Sequence, residues 1–292
     1  MTDSFADKAF SFINGHIGQL IVTMFFFYSG FGIYESVKAK GKQYILDFPK
    51  KRLLVTWISF AICVTAFLIE GILLGKSFEL NQIVLSYIGW DSLGNSNWFM
   101  FVTFGMYILF FFAFSLGDNT YSINCLAFFS ILVMLFTAFL YFFKESYWWN
   151  TTFCFPLGMW FSRYKKQTEE FLRKEKSAWF LLFAVVAVAF VVFYFVSFKV
   201  CNIFYLIAAC FFCLIVVMLT MKIKIRNPAL AFLGRHVFSI YMLQRLWYIP
   251  LSKIDMNRYV FLTISVVLTI ISAVLFDLLM EKVKEKLIKN RF

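Results

Sequence analysis

Three observations predict an all-α fold, a polytopic bundle of about nine membrane-spanning helices. Hydrophobic residues make up 62% of the chain, and the mean hydropathy is +0.78. Charged residues are only 15%, against the roughly 25% of a soluble domain. Apolar runs of spanning length recur from end to end, since about 20 residues at 1.5 Å each cross roughly 30 Å of hydrocarbon. The expected helices cover about 17–34, 53–74, 98–116, 121–143, 147–163, 178–198, 202–221, 229–250 and 259–280. No linker or internal repeat divides them, so residues 1–292 are expected to form a single domain.

The first run, Gly18 to Glu35, is apolar but not uniformly so. At 100° per residue, His16, Gln19, Thr23, Gly30 and Tyr34 fall in one sector. Polar and small side chains on a spanning helix face other helices, because small residues allow close approach and polar ones need partners. This helix is therefore expected in the interior. The second starts after the basic stretch Lys50-Lys51-Arg52, and the third opens on Trp98, an interfacial anchor. The fifth opens on Trp148 and Trp149 and carries Pro156, which a membrane helix tolerates when neighbours satisfy the freed carbonyl. The outer connection 75–97 sets Trp90 and Trp98 beside Asp91, Asn95 and Asn97, a mixture that suits either a sugar or an interfacial belt. The inner connection 164–177 has the mixed charge of a short surface helix.

Lys and Arg fix the expected orientation. Of the 28, 20 fall in the connections 38–52, 163–176 and 222–226 and in the tail 282–291, and 6 in the alternate set. Cytoplasmic loops carry the excess, so the N-terminus is expected outside and the C-terminus inside. The net charge of +12 is then a product of topology, and no nucleic-acid partner is implied. The six Cys lie in or beside apolar runs as packing residues, and Cys210-Phe-Phe-Cys213 lacks the second pair of a metal site, so no metal is expected. The expected location is the plasma or inner membrane, with the bilayer as the first partner.

Four stretches, taken in order, resemble membrane-bound acyltransferase family 3, which includes sugar and peptidoglycan O-acetyltransferases. They are Phe25-Phe26-Phe27-Tyr28-Ser29-Gly30-Phe31, then Lys51-Arg52-Leu53-Leu54, then Asn97-Trp98-Phe99 with Tyr107, then Phe232-Leu233-Gly234-Arg235-His236 through Ser239-Ile240-Tyr241 to Gln244. The resemblance covers nearly the whole chain. It implies transfer of an acyl group, acetyl above all, from acyl-CoA to a hydroxyl of a cell-envelope glycan, with acetyl-CoA as donor substrate and no bound cofactor. Two departures stand out. The family's first helix, with an Arg or Lys and then the His thought to be catalytic, would precede this chain's start, which implies a shortened or inactive form. Gln244 stands where many members carry His, and an amide cannot take a proton near neutral pH.

Such chemistry needs a base for the hydroxyl, donors for the oxyanion and cations for the donor's phosphates. Arg52, Arg226 and Arg235, at inner helix ends, are the candidates for the phosphates, although each also serves as a topology determinant. Tyr241, Gln244, Arg245 and Tyr248 share one face of the eighth helix at i, i+3, i+4 and i+7. Ser29, Arg245 and Trp98 are the candidate substrate contacts. The family His is absent, which leaves His236, Gln244 and Tyr241 as weak catalytic candidates beside His16. No Ser-His-Asp set is apparent. Two competing readings are a transporter or flippase for a polar glycan or lipid-linked precursor and a scaffold for a partner that supplies the base. Proton-coupled carriers bury acids, whereas Glu35, Glu70 and Asp277 read as helix-end residues.

Overall fold

The computed structural model describes residues 5–117, 122–174, 176–223 and 226–289, with side chains left out at 5–14, 16, 173, 174, 176 and 286–289. Among the described residues the chain is helical throughout, without a strand. The helices are α1 (Phe5–Lys40), α2 (Lys42–Phe48), α3 (Val55–Leu73), α4 (Leu80–Tyr87), α5 (Trp98–Ser115), α6 (Ile123–Phe143) and α7 (Ser146–Trp149). Then follow α8 (Cys154–Lys174), α9 (Lys176–Lys199), α10 (Ile203–Lys222), α11 (Pro228–Leu251) and α12 (Arg258–Lys289). Seven stretches among them are long and apolar enough to cross a bilayer: Ile17–Lys40, Lys42–Leu73, Trp98–Ser115, Ile123–Phe143, Ser177–Lys199, Ile203–Lys222 and Arg258–Glu285. The other two expected spans correspond to α8 and α11, which are helical but more polar.

Several boundaries differ from expectation. The fifth helix does not run from 147. A short α7 ends at Trp149, the chain turns through the buried Asn150, Thr151 and Thr152, and α8 starts afresh at Cys154. Pro156 thereby falls in a first helical turn, where the N–H it lacks would have no partner anyway. The mixed-charge stretch after Tyr164 continues α8 to Lys174. Before α3, Pro49 opens a π-helical turn, Pro49–Leu54, that joins α2 to α3. A wide turn of this kind absorbs the hydrogen bond that proline cannot make.

The chain forms two compact units, each drawn from separated segments: residues 1–46 with 105–225, and residues 47–104 with 226–292. In the first unit α1 packs along α8, with α10 beside both. The sector foreseen on α1 does face inward. Gln19 Nε2 donates to Asn150 Oδ1 (2.9 Å) and to the Tyr147 carbonyl (3.0 Å), Thr23 is fully buried, and Tyr34 accepts from Arg163 (2.9 Å). The His16 side chain lies outside the described residues. At the far end Lys38 Nζ donates to Glu35 Oε1 and to the Ser162 carbonyl, both at 2.7 Å, and Ser162 Oγ donates to the same Glu35 oxygen. Interior aromatic pairs such as Phe27 with Phe161 (5.7 Å) and Phe129 with Phe155 (5.8 Å) supply the dispersion contacts on which helix association in lipid depends. By contrast α9 leaves Phe180, Leu181, Val185 and Val188 exposed, a surface suited to acyl chains.

In the second unit α3 packs on α11 and α11 on α12. The connection 75–97 folds over this group. Trp57 Nε1 donates to the Tyr87 carbonyl (3.1 Å), and Thr65 Oγ1 meets the Tyr87 hydroxyl (2.8 Å). Asn97 and the Asn95 amide oxygen, read as suiting a sugar, are engaged in their own loop. Asn97 Nδ2 donates to the Gly89 (3.0 Å) and Asp91 (2.8 Å) carbonyls, and Asn95 Oδ1 accepts from the Leu93 amide (3.1 Å). Gly89 and Gly94, at φ +80° and +120°, make the two reversals that bring these groups together. Asn97→Ala leaves two carbonyls without their donor, so it is expected to cost about 1–3 kcal/mol. Thermal unfolding of the purified protein in detergent measures it, and an unchanged midpoint would show that water replaces the amide.

Candidate functional site

The densest polar cluster inside the helices of the second unit lies between α11 and α12. His236 and Ser239 sit at i and i+3 on α11, hence on one face. Asp277 stands on α12 in the apolar sequence Val274-Leu275-Phe276-Asp277-Leu278-Leu279. The carboxylate reaches both: Oδ2 lies 2.5 Å from His236 Nδ1, and Oδ1 accepts from the Ser239 hydroxyl. Asp277, which the sequence suggested to be a helix-end residue, stands inside α12 and pairs across to α11. A Ser, a His and an Asp do come together, against expectation. They are not a nucleophilic triad, because Ser239 bonds the carboxylate and not the imidazole.

The geometry fixes what the ring can do. The carboxylate accepts at Nδ1, so Nδ1 carries the proton and Nε2 of the neutral ring keeps its lone pair. Nε2 has no hydrogen-bond partner among the described residues. The Phe232 ring, one turn back on α11, packs 4.8 Å from the imidazole and holds its plane. The buried Cys63 of α3 lies close enough to Asp277 to feel its charge. A carboxylate so placed can orient an imidazole and compensate the charge of an imidazolium.

The other candidate residues are placed as follows. Arg52 is exposed in the π-helical turn, Arg226 is exposed just before α11, and Arg235 is exposed next to His236, so all three cations belong to the unit that holds the His–Asp pair. Ser29 is half-buried on α1 in the first unit. Trp98 opens α5 and sets its ring edge-on to Phe99 (6.1 Å). The shared face of α11 divides. Tyr241 is covered, with its ring edge-on to Phe99 (5.2 Å). Gln244, Arg245 and Tyr248 remain exposed along a groove between α11 and α12. In the first unit Cys154 lies within hydrogen-bonding reach of Cys210 and Cys213, a neighbour that the spacing of the pair did not reveal. All six thiols are free, and among the described residues no set of His, Cys, Asp or Glu is arranged to hold a metal ion.

The family model for the acyltransferase domain of family 3 matches residues 2–279, which takes in both units and every residue of the cluster. The chain belongs to acyltransferase family 3. No curated protein and no solved structure gives a significant match. The bundle of apolar helices and the family together make this family-3 member a membrane protein of the acyltransferase class. The four stretches that carried the resemblance all fall inside the matched region.

Proposed function

We propose that this family-3 acyltransferase moves an acyl group, acetyl in the simplest case, from acyl-CoA to a hydroxyl of a cell-envelope glycan, acting as one domain in the plasma or inner membrane. The observation that carries the reading is the His236–Asp277 pair, an oriented base within the helices of a chain whose family is acyltransferase. His236 Nε2 takes the proton of the acceptor hydroxyl as that oxygen attacks the thioester carbonyl. The C–O bond forms, the carbonyl electrons move onto oxygen, and collapse breaks the C–S bond. The thiolate of CoA leaves and receives the proton from His236, so ester and free thiol are the products. Arg235, Arg226 and Arg52, at the helix ends assigned to the cytoplasm by charge, are the cations for the donor's phosphates.

Membranes containing the full chain, incubated with radiolabelled acetyl-CoA and their native glycans, are expected to yield alkali-labile label on carbohydrate and an equal amount of free CoA thiol. Membranes without the chain give the background. Failure of a monodisperse, well-expressed protein to release thiol above that background would refute the reading. Movement of a glycan precursor across the bilayer without thiol release would establish the transporter in its place.

A further inference from the structure

Along α11 and α12 the second unit opens a groove of about 700 Å³, a size that accepts an organic ligand of several hundred daltons. It follows α11 from Gly234 to Tyr248, roughly 21 Å at 1.5 Å per residue. Most of the wall is aliphatic: Leu233, Val237 and Ile240 from α11, with Leu262, Val266 and Ile270 from α12. Bilayer lipid would cover such a wall without further provision. Two features do not fit that account.

The first is Arg245. It is exposed and lines the groove from α11, and among the described residues no carboxylate pairs with it. A guanidinium beside an aliphatic wall is a ready partner for an anion. Gln244, beside it, has no side-chain partner among the described residues either. The second is Ser265, on the opposite wall. Its residue is only 6% exposed, and its hydroxyl has no hydrogen-bond partner among the described residues. A buried hydroxyl left unpaired is destabilising. Thr269, one turn on, has already satisfied its own hydroxyl on the Ser265 carbonyl (2.7 Å), so it cannot relieve Ser265. A cation, an amide and a hydroxyl thus line an otherwise greasy trough without protein partners among the described residues.

We propose that the groove is a binding site for a single-chain lipid phosphate, whose phosphate engages Arg245, Gln244 and Ser265 while its hydrocarbon chain lies on the aliphatic wall. A guanidinium with further donors matches a phosphate oxygen set, and a groove between two helices takes one chain lengthwise. This deepens the reading above and rests on it for its purpose: the lipid is the tether of the glycan acceptor. Arg245 stands on the same helix as His236, about 14 Å along the axis from it.

Native mass spectrometry of the full chain in a neutral detergent tests the site, with farnesyl phosphate, farnesol, inorganic phosphate and dioleoyl phosphatidic acid as probes. Farnesyl phosphate is expected to be retained at least about tenfold more tightly than each of the other three, since only it offers both the charge and a single chain. Arg245→Gln is expected to bring it down to the level of farnesol. Ser265→Ala, which removes the orphaned hydroxyl without touching the charge, is expected to weaken it about fivefold. Equal retention of phosphatidic acid, or farnesyl phosphate binding unchanged in Arg245→Gln, would overturn the proposal. No acyl-CoA enters this measurement. A negative result leaves transfer to an untethered glycan standing, whereas binding without any thiol release would count against the acyltransferase reading alone.

Discussion

His236→Gln is expected to lower kcat for thiol release by about 10²–10⁴-fold, the range that a positioned general base supplies, while KM for acyl-CoA stays within a few-fold. The amide keeps a polar contact to Asp277 and most of the volume, but has no lone pair able to hold a proton. Asp277→Asn asks a different question. Its amide stays near His236 Nδ1 and Ser239 but removes the charge that steadies an imidazolium and the acceptor pair that fixes the tautomer. A fall in kcat of about 10–100-fold with KM preserved is the signature of a positioning role. A merely structural ion pair predicts another pattern, in which both variants lose folded protein and the surviving fraction works at the normal rate. Ser239→Ala separates the two further. It deletes the second contact to the carboxylate and leaves the imidazole bond in place, so activity is expected to stay within about tenfold of the unaltered enzyme. Full activity in His236→Gln would remove this residue from the mechanism.

The interior position of α1 was legible in sequence because its polar and small residues repeat at helical spacing, and five points in one sector are a pattern that chance seldom makes. The His–Asp pair was not legible in that way. Its members lie 41 residues apart, on different helices, and neither belongs to a periodic set. One signal existed. An acid flanked on both sides by Leu, Phe, Val and Met needs a partner at its own depth, and α11 and α12 are antiparallel neighbours joined by 252–257. His236 and Asp277 each stand about 20 residues from that turn, so they sit at nearly the same level. The break before Cys154 was hidden for a local reason. Trp148, Trp149, Phe153 and Phe155 keep the stretch apolar, and hydropathy does not register that the chain turns through Asn150, Thr151 and Thr152, where the Thr152 hydroxyl donates to the Trp149 carbonyl. Likewise the Asn97 amide looked available until the loop's own carbonyls claimed it.

The crossing of α1 and α8 is where a single methyl group is expected to do the most damage to the fold. A Cβ on Gly30 would lie 2.0 Å from the Phe155 carbonyl oxygen, and one on Gly158 would lie 2.0 Å from the Phe27 carbonyl oxygen. Both obstacles are backbone, so no rotamer change makes room, and the helices have to part. Parting them breaks what the close approach permits: Gln19 to Asn150 at one end, and the Glu35, Lys38 and Ser162 contacts with Arg163 to Tyr34 at the other. Overpacking a rigid core costs about 1–3 kcal/mol when side chains can yield; here they cannot, and the cost is expected to exceed that range. Domain stability is typically about 5–15 kcal/mol, so Gly30→Ala or Gly158→Ala removes a large share of it and Gly158→Val should abolish monodisperse protein. Gly32→Ala is the control on the same helix, since nothing lies within 4 Å of its added carbon. It is expected to leave the unfolding midpoint where it is or raise it slightly, because alanine is the better helix former. Equal midpoints for Gly30→Ala and Gly32→Ala would show that α1 and α8 do not touch backbone to backbone.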